Sequence, residues 1–185
     1  IAGKAEDNLC VQAWQLLRIE FGERVPPLSI HLEKHIPMGA GLGGGSSDAA
    51  ACLLAIDEMS GLGLGIEGLH RFAVRLGADV PFFLQDKSML ATGIGEALEP
   101  IALPMSFQII IRTSDVHSNT ALAYRELDLS RCTPSGSLRE TILQPVEHWK
   151  EHITNDFEAG LFHRFPQLQA TKERLYAEGA FFALM

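Results

Sequence analysis

The chain has 185 residues, of which 46% are hydrophobic and 21% charged, a balance typical of a globular protein of one domain or slightly more. Its 15 lysines and arginines against 23 aspartates and glutamates give a net charge of −8, which argues against general nucleic-acid or anionic-membrane binding. No apolar run approaches the ~20 residues of a membrane span. The three cysteines are scattered and form no CxxC pair, which indicates a reducing compartment rather than a disulfide framework or a structural zinc site.

Hydrophobic spacing predicts helices and strands in mixed order along the chain. Asp7 and Asn8 are cap-type residues before a helix that runs from Leu9 to near Gly22. Helices are further predicted over 46–59, 67–76 (with Gly77 as its stop), 138–153, 157–165 and 167–178. Strands are predicted over 28–33, 80–84, 88–92 and 107–112, and the last residues, 179–185, also have a strand-like pattern.

The predicted order lacks regular βαβ alternation, so it favours an α+β class over a doubly wound sheet. We place a domain junction near 103–106, which divides the chain into domains 1–104 and 105–185. The chain begins at Ile1 without a signal region and ends inside a strand-like segment. We therefore expect it to be an internal piece of a longer protein.

The most informative segment is the glycine-rich loop, residues 37–47, with the sequence PMGAGLGGGSS. Its glycines allow close backbone approach and positive φ, and Ser46-Ser47 open a helix whose first amides have no internal partner. Such amides, with the positive end of the helix dipole, suit a di- or triphosphate, and the serine hydroxyls can add hydrogen bonds. A flexible linker with capping serines is the alternative, but linkers rarely stand between an apolar strand and a buried helix.

Two well-known phosphate loops fit this segment poorly. Residues 39–44 satisfy G-x-G-x-x-G, but His31 and Glu33 alternate out of the preceding strand, whereas a dinucleotide fold needs a buried one. The acidic residue that should end the next strand is also missing, because Asp57 still lies on the helix. A Walker loop needs a lysine where this chain has Gly45.

The run IPMGAGLGGGSSDAA at 36–50 resembles the phosphate-binding motif of the GHMP kinase superfamily, named for galacto-, homoserine, mevalonate and phosphomevalonate kinases. Its triple glycine is most similar to that of the members acting on a cytidine-diphosphate-linked methylerythritol. Four more motifs resemble those kinases in order: DNL at 7–9, LGADVPFFL at 76–84, GIGE at 93–96 and NDFE at 155–158. The resemblance covers essentially the whole chain. It implies the GHMP kinase fold of two α/β-sandwich-like domains, with an ATP-binding N-terminal domain over 1–104 that lacks its first strands and a truncated C-terminal domain over 105–185.

The resemblance implies that ATP with Mg²⁺ phosphorylates the 2-hydroxyl of 4-(cytidine 5′-diphospho)-2-C-methyl-D-erythritol, in non-mevalonate isoprenoid (terpenoid) precursor biosynthesis. A small molecule is then the partner, the location is cytoplasmic for a bacterial source, and no protein ligand for Mg²⁺ is assigned. The family's catalytic lysine belongs to an N-terminal segment without a match here, so we expect this chain to be inactive alone. Homoserine- or mevalonate-type kinases, a non-catalytic nucleotide-binding module and an NAD-dependent oxidoreductase stay open as alternatives.

The resemblance also assigns roles to single residues. Asp79 matches the catalytic aspartate, a general base that also contacts the substrate, although the sequence alone also allows an exposed loop aspartate. Thr120 is placed near the methylerythritol end, and Tyr124 where a ring stacks on the cytosine, unless it simply packs on the core. Lys34 matches a lysine beside the nucleotide, unless it is a surface strand residue. The implied ATP-binding residues are Lys34, Pro37, Met38, Gly39, Ala40, Gly41, Leu42, Gly43, Gly44, Gly45, Ser46 and Ser47.

Three weaker signals have structural interpretations. His148 and His152 stand i, i+4 on a predicted helix, but no third ligand accompanies them, so a solvated face is favoured over a metal site. Asn155 and Asp156 are predicted to cap a helix, with a nucleotide-side role as the alternative that the resemblance leaves open. The glycines of 93–96 are expected to shape a hairpin.

Overall fold

The computed structural model describes residues 4–103, 107–114, 116, 120–127 and 137–185, apart from the side chains of 120–122. The chain divides into two compact units, Ile1–Ile101 and Ala102–Met185. Helices occur in both units, and the sheet in the described residues is a two-stranded antiparallel hairpin. Helices kept separate from an antiparallel hairpin confirm the predicted α+β class. The domain bounds 1–104 and 105–185 stay a prediction.

The elements follow one another without regular alternation. The first unit contains a 3₁₀ turn at Ala5–Asp7, α1 (Leu9–Phe21), a 3₁₀ turn at Gly22–Arg24, α2 (Gly44–Met59), α3 (Gly65–Leu76), a 3₁₀ helix at Val80–Leu84, β1 (Met89–Thr92) and β2 (Ala97–Pro100). The second unit contains α4 (Thr120–Glu126), α5 (Leu138–Ile142), a 3₁₀ turn at Val146–His148, α6 (Trp149–His152), α7 (Glu158–Arg164) and α8 (Pro166–Ala177).

The core of the first unit lies between α1, α2, α3 and the 3₁₀ helix. The Asn8 side chain accepts a hydrogen bond from the Cys10 amide at 2.9 Å and so caps α1, as its sequence predicts. The buried positions of α3 recur at helical spacing, which places one stripe of the helix in the core. The buried members of the core are Ala13, Leu17, Val25, Ala49, Ala50, Leu53, Ile56, Leu69, Phe72, Ala73, Leu76, Val80 and Leu84.

Asp57 joins the end of α2 to the start of α3. Its carboxylate accepts hydrogen bonds from the Leu64 and Gly65 amides, both at 3.0 Å. These are amides at the N-terminus of α3, where a carboxylate is favoured by the helix dipole. Asp57 therefore has a structural role on the helix, in agreement with the argument against a dinucleotide-binding fold.

The second unit is organised around Trp149 and Glu158. The Trp149 ring makes edge-to-face contacts with Phe107 and Phe182, each at 5.6 Å between centroids. The buried Glu158 carboxylate accepts from Lys172 Nζ at 2.6 Å and from the Met185 amide at 3.0 Å. A buried carboxylate requires such partners, so it ties α7 to α8 and to the segment at residue 185.

The helices predicted over 9–22, 46–59, 67–76, 157–165 and 167–178 are confirmed, as is the strand predicted over 88–92. β1 pairs with β2 in the register Met89↔Pro100 to Thr92↔Ala97. The glycine-rich turn at 93–96 connects the two strands, as expected. Gly77 ends α3 as predicted, and its amide donates to the Ala73 carbonyl at 3.2 Å.

Five other predictions of secondary structure are wrong. Residues 28–33, 107–112 and 179–185 form no strand, because within the described residues no neighbouring strand pairs with them. The predicted strand 80–84 is a 3₁₀ helix, since Pro81 suits its first turn and Val80 and Leu84 are buried on one side. The predicted helix 138–153 is broken into short pieces around Pro145, which lacks an amide hydrogen.

Candidate active site

The glycine-rich loop adopts the backbone conformation that its sequence predicts. Gly39, Gly41 and Gly43 have φ of 75°, 71° and 68°, a region that residues with a side chain rarely occupy. Gly43 is the N-cap of α2, and no side chain caps that terminus. The alternation of positive-φ glycines therefore leads the backbone directly into an uncapped helix.

The N-terminus of α2 offers amide donors to the loop. The Ser47 amide donates to the Gly43 carbonyl at 2.8 Å, which is the first hydrogen bond of the helix. The amides of Gly44, Gly45 and Ser46 precede that bond, so helix geometry supplies them with no acceptor. Amides of this kind, together with the positive end of the helix dipole, have the geometry and charge that favour an anion.

The loop is seated on two hydrophobic side chains. A Cβ on Gly43 would lie 2.6 Å from Cζ of Phe83, and one on Gly44 would lie 3.3 Å from Cβ of Ile36. Phe83 belongs to the 3₁₀ helix that begins at Val80. Gly43 is thus required by packing as well as by φ, whereas a side chain at Gly44 would only press on Ile36. The contact with Phe83 connects the loop to the segment that carries Asp79.

An open cavity of about 320 Å³ is lined by the loop. Eleven of the twelve sequence-predicted ATP-binding residues line it, all except Ser47, whose amide is used within the helix. Leu9 and Ile36 also line the cavity and were not predicted. Both belong to motifs noted in the sequence, DNL at 7–9 and the run that begins at residue 36, so a signal for them was present. The role of all these residues in binding ATP stays a prediction.

Lys34 contributes the one charged side chain among the residues that line this cavity, all of which are described. Its ammonium pairs with the carboxylate of Asp48 on α2, and both side chains are about a quarter exposed, at 25% and 28%. This ion pair joins the segment before the loop to the helix after it. The structure therefore places Lys34 at the loop, as expected, and adds Asp48 as its partner.

The Cys10 thiol, which lies near Asp48 and Cys52, is free and buried. Burial raises the pKa of the Cys10 thiol to about 12, and the neighbouring Cys52 and Asp48 act in the same direction. Cys10 and Cys52 are both free cysteines. Because a thiolate is the reactive form, Cys10 is a core residue and not a nucleophile.

Asp79 stands between α3 and the 3₁₀ helix at Val80–Leu84. The Val80 amide closes the preceding turn by donating to the Gly77 carbonyl at 3.2 Å. The Asp79 side chain is exposed, and among the described residues its carboxylate makes no hydrogen bond or ion pair. It differs in this from Asp48 and Asp57, whose carboxylates are occupied by Lys34 and by the start of α3.

The hairpin turn lies beside Asp79. A Cβ on Gly95 would be 4.0 Å from Oδ1 of Asp79 and 3.9 Å from the Ala78 carbonyl oxygen. Gly95 has φ of 113° and Gly93 has φ of 71°. The sequence predicted only that these glycines shape a hairpin, and the structure shows that the turn also borders the Asp79 carboxylate.

The remaining sequence-predicted substrate residues lie in the second unit. Tyr124 on α4 is 63% exposed, and its ring contacts Phe157 edge to face at 4.9 Å between centroids and 81° between planes. Its ring is therefore not a core residue. Thr120 begins α4, but its side chain is outside the described part of the structure. A second cavity of about 590 Å³ is lined by residues 123, 126, 127 and 154–163.

The residues behind the three weaker signals lie in turns and short helices. The Asn155 side chain accepts from the Phe157 amide at 3.1 Å and donates to the Met185 carbonyl at 2.7 Å, so it closes a local turn before α7. The predicted helix cap is wrong, because Phe157 is the N-cap of α7 and no side chain caps that terminus. His148 ends a 3₁₀ turn and His152 ends α6. Across the described ranges, no group of three histidine, cysteine, aspartate or glutamate side chains is arranged to hold a metal. Likewise, none of the helices described is long and apolar enough to cross a bilayer.

Residues 8–87 match the family model of the GHMP kinase N-terminal domain. The chain is 40% identical over 183 residues to 4-diphosphocytidyl-2-C-methyl-D-erythritol kinase of Azobacteroides pseudotrichonymphae genomovar. CFP2, covering 98% of this chain and 67% of the relative. It is 42% identical to the kinase of the same name from Bacteroides thetaiotaomicron, and the match covers 100% of this chain and 66% of that relative. A crystal structure of 4-(cytidine 5′-diphospho)-2C-methyl-D-erythritol kinase is similar with a TM-score of 0.78 and 32% identity, over 100% of this chain and 67% of that one. The chain thus spans about two thirds of the length of these relatives.

Proposed function

This chain belongs to the GHMP kinase family, and we propose that its protein transfers the γ-phosphoryl group of ATP to the 2-hydroxyl of 4-(cytidine 5′-diphospho)-2-C-methyl-D-erythritol. The family model, the relatives and the crystal structure confirm the resemblance that the motifs predicted. The relatives named above carry the name of this kinase. The proposed reaction is a step of non-mevalonate isoprenoid (terpenoid) precursor biosynthesis.

The observation that carries the proposal is the pairing of an anion site with an available carboxylate in one unit. The glycine-rich loop and the start of α2 line one cavity, and the Lys34 side chain from the preceding segment lines it too. Polyphosphate binding at such a site is favoured by amide hydrogen bonds, by the helix dipole and by the nearby cation. The residues present therefore fit the triphosphate of ATP, which is the phosphoryl donor.

Asp79 is the proposed general base. It would accept or orient the proton of the substrate 2-hydroxyl while that oxygen forms a bond to the γ-phosphorus, and the bond from the γ-phosphorus to the bridging oxygen of ADP breaks. Its exposure and the absence of any partner within the described residues support this role, because a carboxylate engaged elsewhere cannot accept that proton. Mg²⁺ accompanying the nucleotide would neutralise phosphate charge, and we assign no protein ligand to it.

The second unit supplies the proposed contacts to the rest of the substrate. Tyr124, with its exposed ring, would stack on the cytosine, and Thr120 would contact the methylerythritol end. We also propose a cytoplasmic location. Cys10 and Cys52 are free cysteines, which suits a reducing compartment.

The test is an ADP-release assay on the full-length protein with the cytidylyl substrate, homoserine and mevalonate in parallel. Asp79→Asn is compared with Asp86→Asn, an exposed aspartate just beyond the other end of the same 3₁₀ helix, which makes the same change in charge. We expect Asp79→Asn to lower kcat by about 10²- to 10⁴-fold, the range of a general base, with little change in the KM for ATP. Asp86→Asn should leave both constants at wild-type values.

Each result has a defined meaning. Turnover confined to the cytidylyl substrate supports the proposed acceptor, and its loss in Asp79→Asn alone supports the proposed base. Turnover with homoserine or mevalonate instead would keep the family and refute the acceptor. Near-normal kcat in Asp79→Asn would refute the role of that carboxylate.

A further inference from the structure

The helix that carries Tyr124 is held by α7. α4 has seven residues, too few to be stable without tertiary contacts. Two contacts join α4 to α7 and to Phe157, the residue just before α7: an ion pair between Glu126 and Arg164 at 3.5 Å, and the ring contact between Tyr124 and Phe157. The orientation of the Tyr124 ring therefore depends on residues 157–164.

Phe157 is itself firmly placed. Its amide donates to the Asn155 side chain at 3.1 Å, and that side chain is bonded to the Met185 carbonyl at 2.7 Å. The Phe157 side chain is half-buried and precedes the first residue of α7. A half-buried ring on a backbone held in this way can restrict the rotation of a neighbouring ring without itself having to contact a ligand.

The Tyr124 ring stands nearly perpendicular to that of Phe157, at 81°, and remains 63% exposed. An edge-to-face pair of this kind holds one side of a ring and leaves other surface free. An exposed aromatic ring whose rotation is already restricted loses less conformational freedom when a planar base stacks on it.

We propose that Phe157 is a positioning residue that sets the orientation of the Tyr124 ring for stacking on the cytosine of the substrate. This inference rests on the proposed function, in which Tyr124 contacts that base. Phe157 acts through Tyr124, so its replacement weakens substrate binding and leaves the phosphoryl-transfer step intact. Binding of the cytidylyl substrate, and not binding of ATP, therefore depends on a residue of the NDFE motif at 155–158.

The experiment measures kcat, the KM for the cytidylyl substrate and the KM for ATP in the full-length protein. Phe157→Leu removes the ring, and Phe157→Tyr retains it. Phe182→Leu is the matched control, because Phe182 is also half-buried and also makes an edge-to-face contact, with Trp149 at 5.6 Å. Tyr124→Leu, alone and combined with Phe157→Leu, tests whether the two rings act together.

We expect Phe157→Leu to raise the KM for the cytidylyl substrate by about 2- to 10-fold, the effect of one aromatic pair, with kcat and the KM for ATP unchanged. Phe157→Tyr, which keeps the ring, should have the wild-type KM for the cytidylyl substrate, and so should Phe182→Leu. In the Tyr124→Leu background, Phe157→Leu should add nothing, because its effect passes through that ring.

An unchanged KM in Phe157→Leu, with an increase in Tyr124→Leu, would overturn this inference and leave the proposed function standing. An equal increase in Phe182→Leu would also overturn it, since a general loss of stability would then explain both variants. Wild-type protein that does not turn over the cytidylyl substrate would refute the proposed function, and the inference with it.

Discussion

The contact between Gly43 and Phe83 supports the glycine-rich loop, and Gly43→Ala tests it. Gly43 has φ of 68°, where an alanine costs about 1–2 kcal/mol. The new Cβ would lie 2.6 Å and 2.8 Å from two carbons of the Phe83 ring, so the half-buried ring has to move. Overpacking of this kind costs about 1–3 kcal/mol, and we therefore expect Gly43→Ala to lower the free energy of unfolding by about 2–5 kcal/mol.

Gly41→Ala is the matched control. Gly41 has nearly the same φ, 71°, but nothing lies within 4 Å of the position of its Cβ. Gly41→Ala should lower the free energy of unfolding only by the cost of an alanine at positive φ, about 1–2 kcal/mol. Urea denaturation of both variants gives the difference of about 1–3 kcal/mol that belongs to the Phe83 contact.

A second substitution checks the cause of that difference. Phe83→Leu removes the ring atoms nearest to Gly43, so Gly43→Ala should cost less in that background than in the wild type. Equal losses of stability in Gly43→Ala and Gly41→Ala would refute the reasoning. So would a cost of Gly43→Ala that is the same with and without the Phe83 ring.

Two further predictions concern Lys34 and Cys10. Lys34→Met removes the charged side chain that lines the loop cavity, and we expect the KM for ATP in the full-length protein to rise about tenfold. Lys87→Met, at an exposed lysine, is the control and should leave this KM unchanged. An unchanged KM for ATP in Lys34→Met would contradict the assignment of Lys34 to ATP binding. Burial raises the pKa of the Cys10 thiol from 9.0 to about 12, so between these values the folded state keeps a proton that the unfolded state has lost. The free energy of unfolding should therefore fall as the pH rises from about 9 toward 12. In Cys10→Ala, urea denaturation at each pH should show a smaller fall. Equal slopes of the unfolding free energy against pH in the two proteins would show that the thiol is not responsible.

Elements whose signals are local were predicted well. α1 follows its Asn8 cap, and α3 follows an apolar stripe that ends at Gly77. Each of these signals acts within a few residues of the chain, through capping, helical spacing and a glycine stop. The hairpin at 89–100 was likewise indicated by glycines in its turn.

Strands were predicted less well because a strand needs a partner. The isoleucines at 109–111 have a strand-like composition, yet they are 61–71% exposed and pair with no strand in the described residues. Alternation in a sequence indicates which face is apolar but does not supply the neighbour that completes the hydrogen bonds. At 80–84, Pro81 and the burial of both Val80 and Leu84 favoured a 3₁₀ helix over an extended strand.

The sequence by itself determined the chemistry of the candidate site: a glycine-rich loop leading into a helix, with an aspartate after the next helix. These features depend on residue type and local conformation, so a single segment is enough to indicate them. Only the tertiary structure decided how the segments support one another, with Phe83 beneath Gly43, Asp48 on Lys34 and Phe157 against Tyr124. These contacts join residues 14–40 positions apart, and packing in three dimensions determines such distances, whereas periodicity along the chain does not.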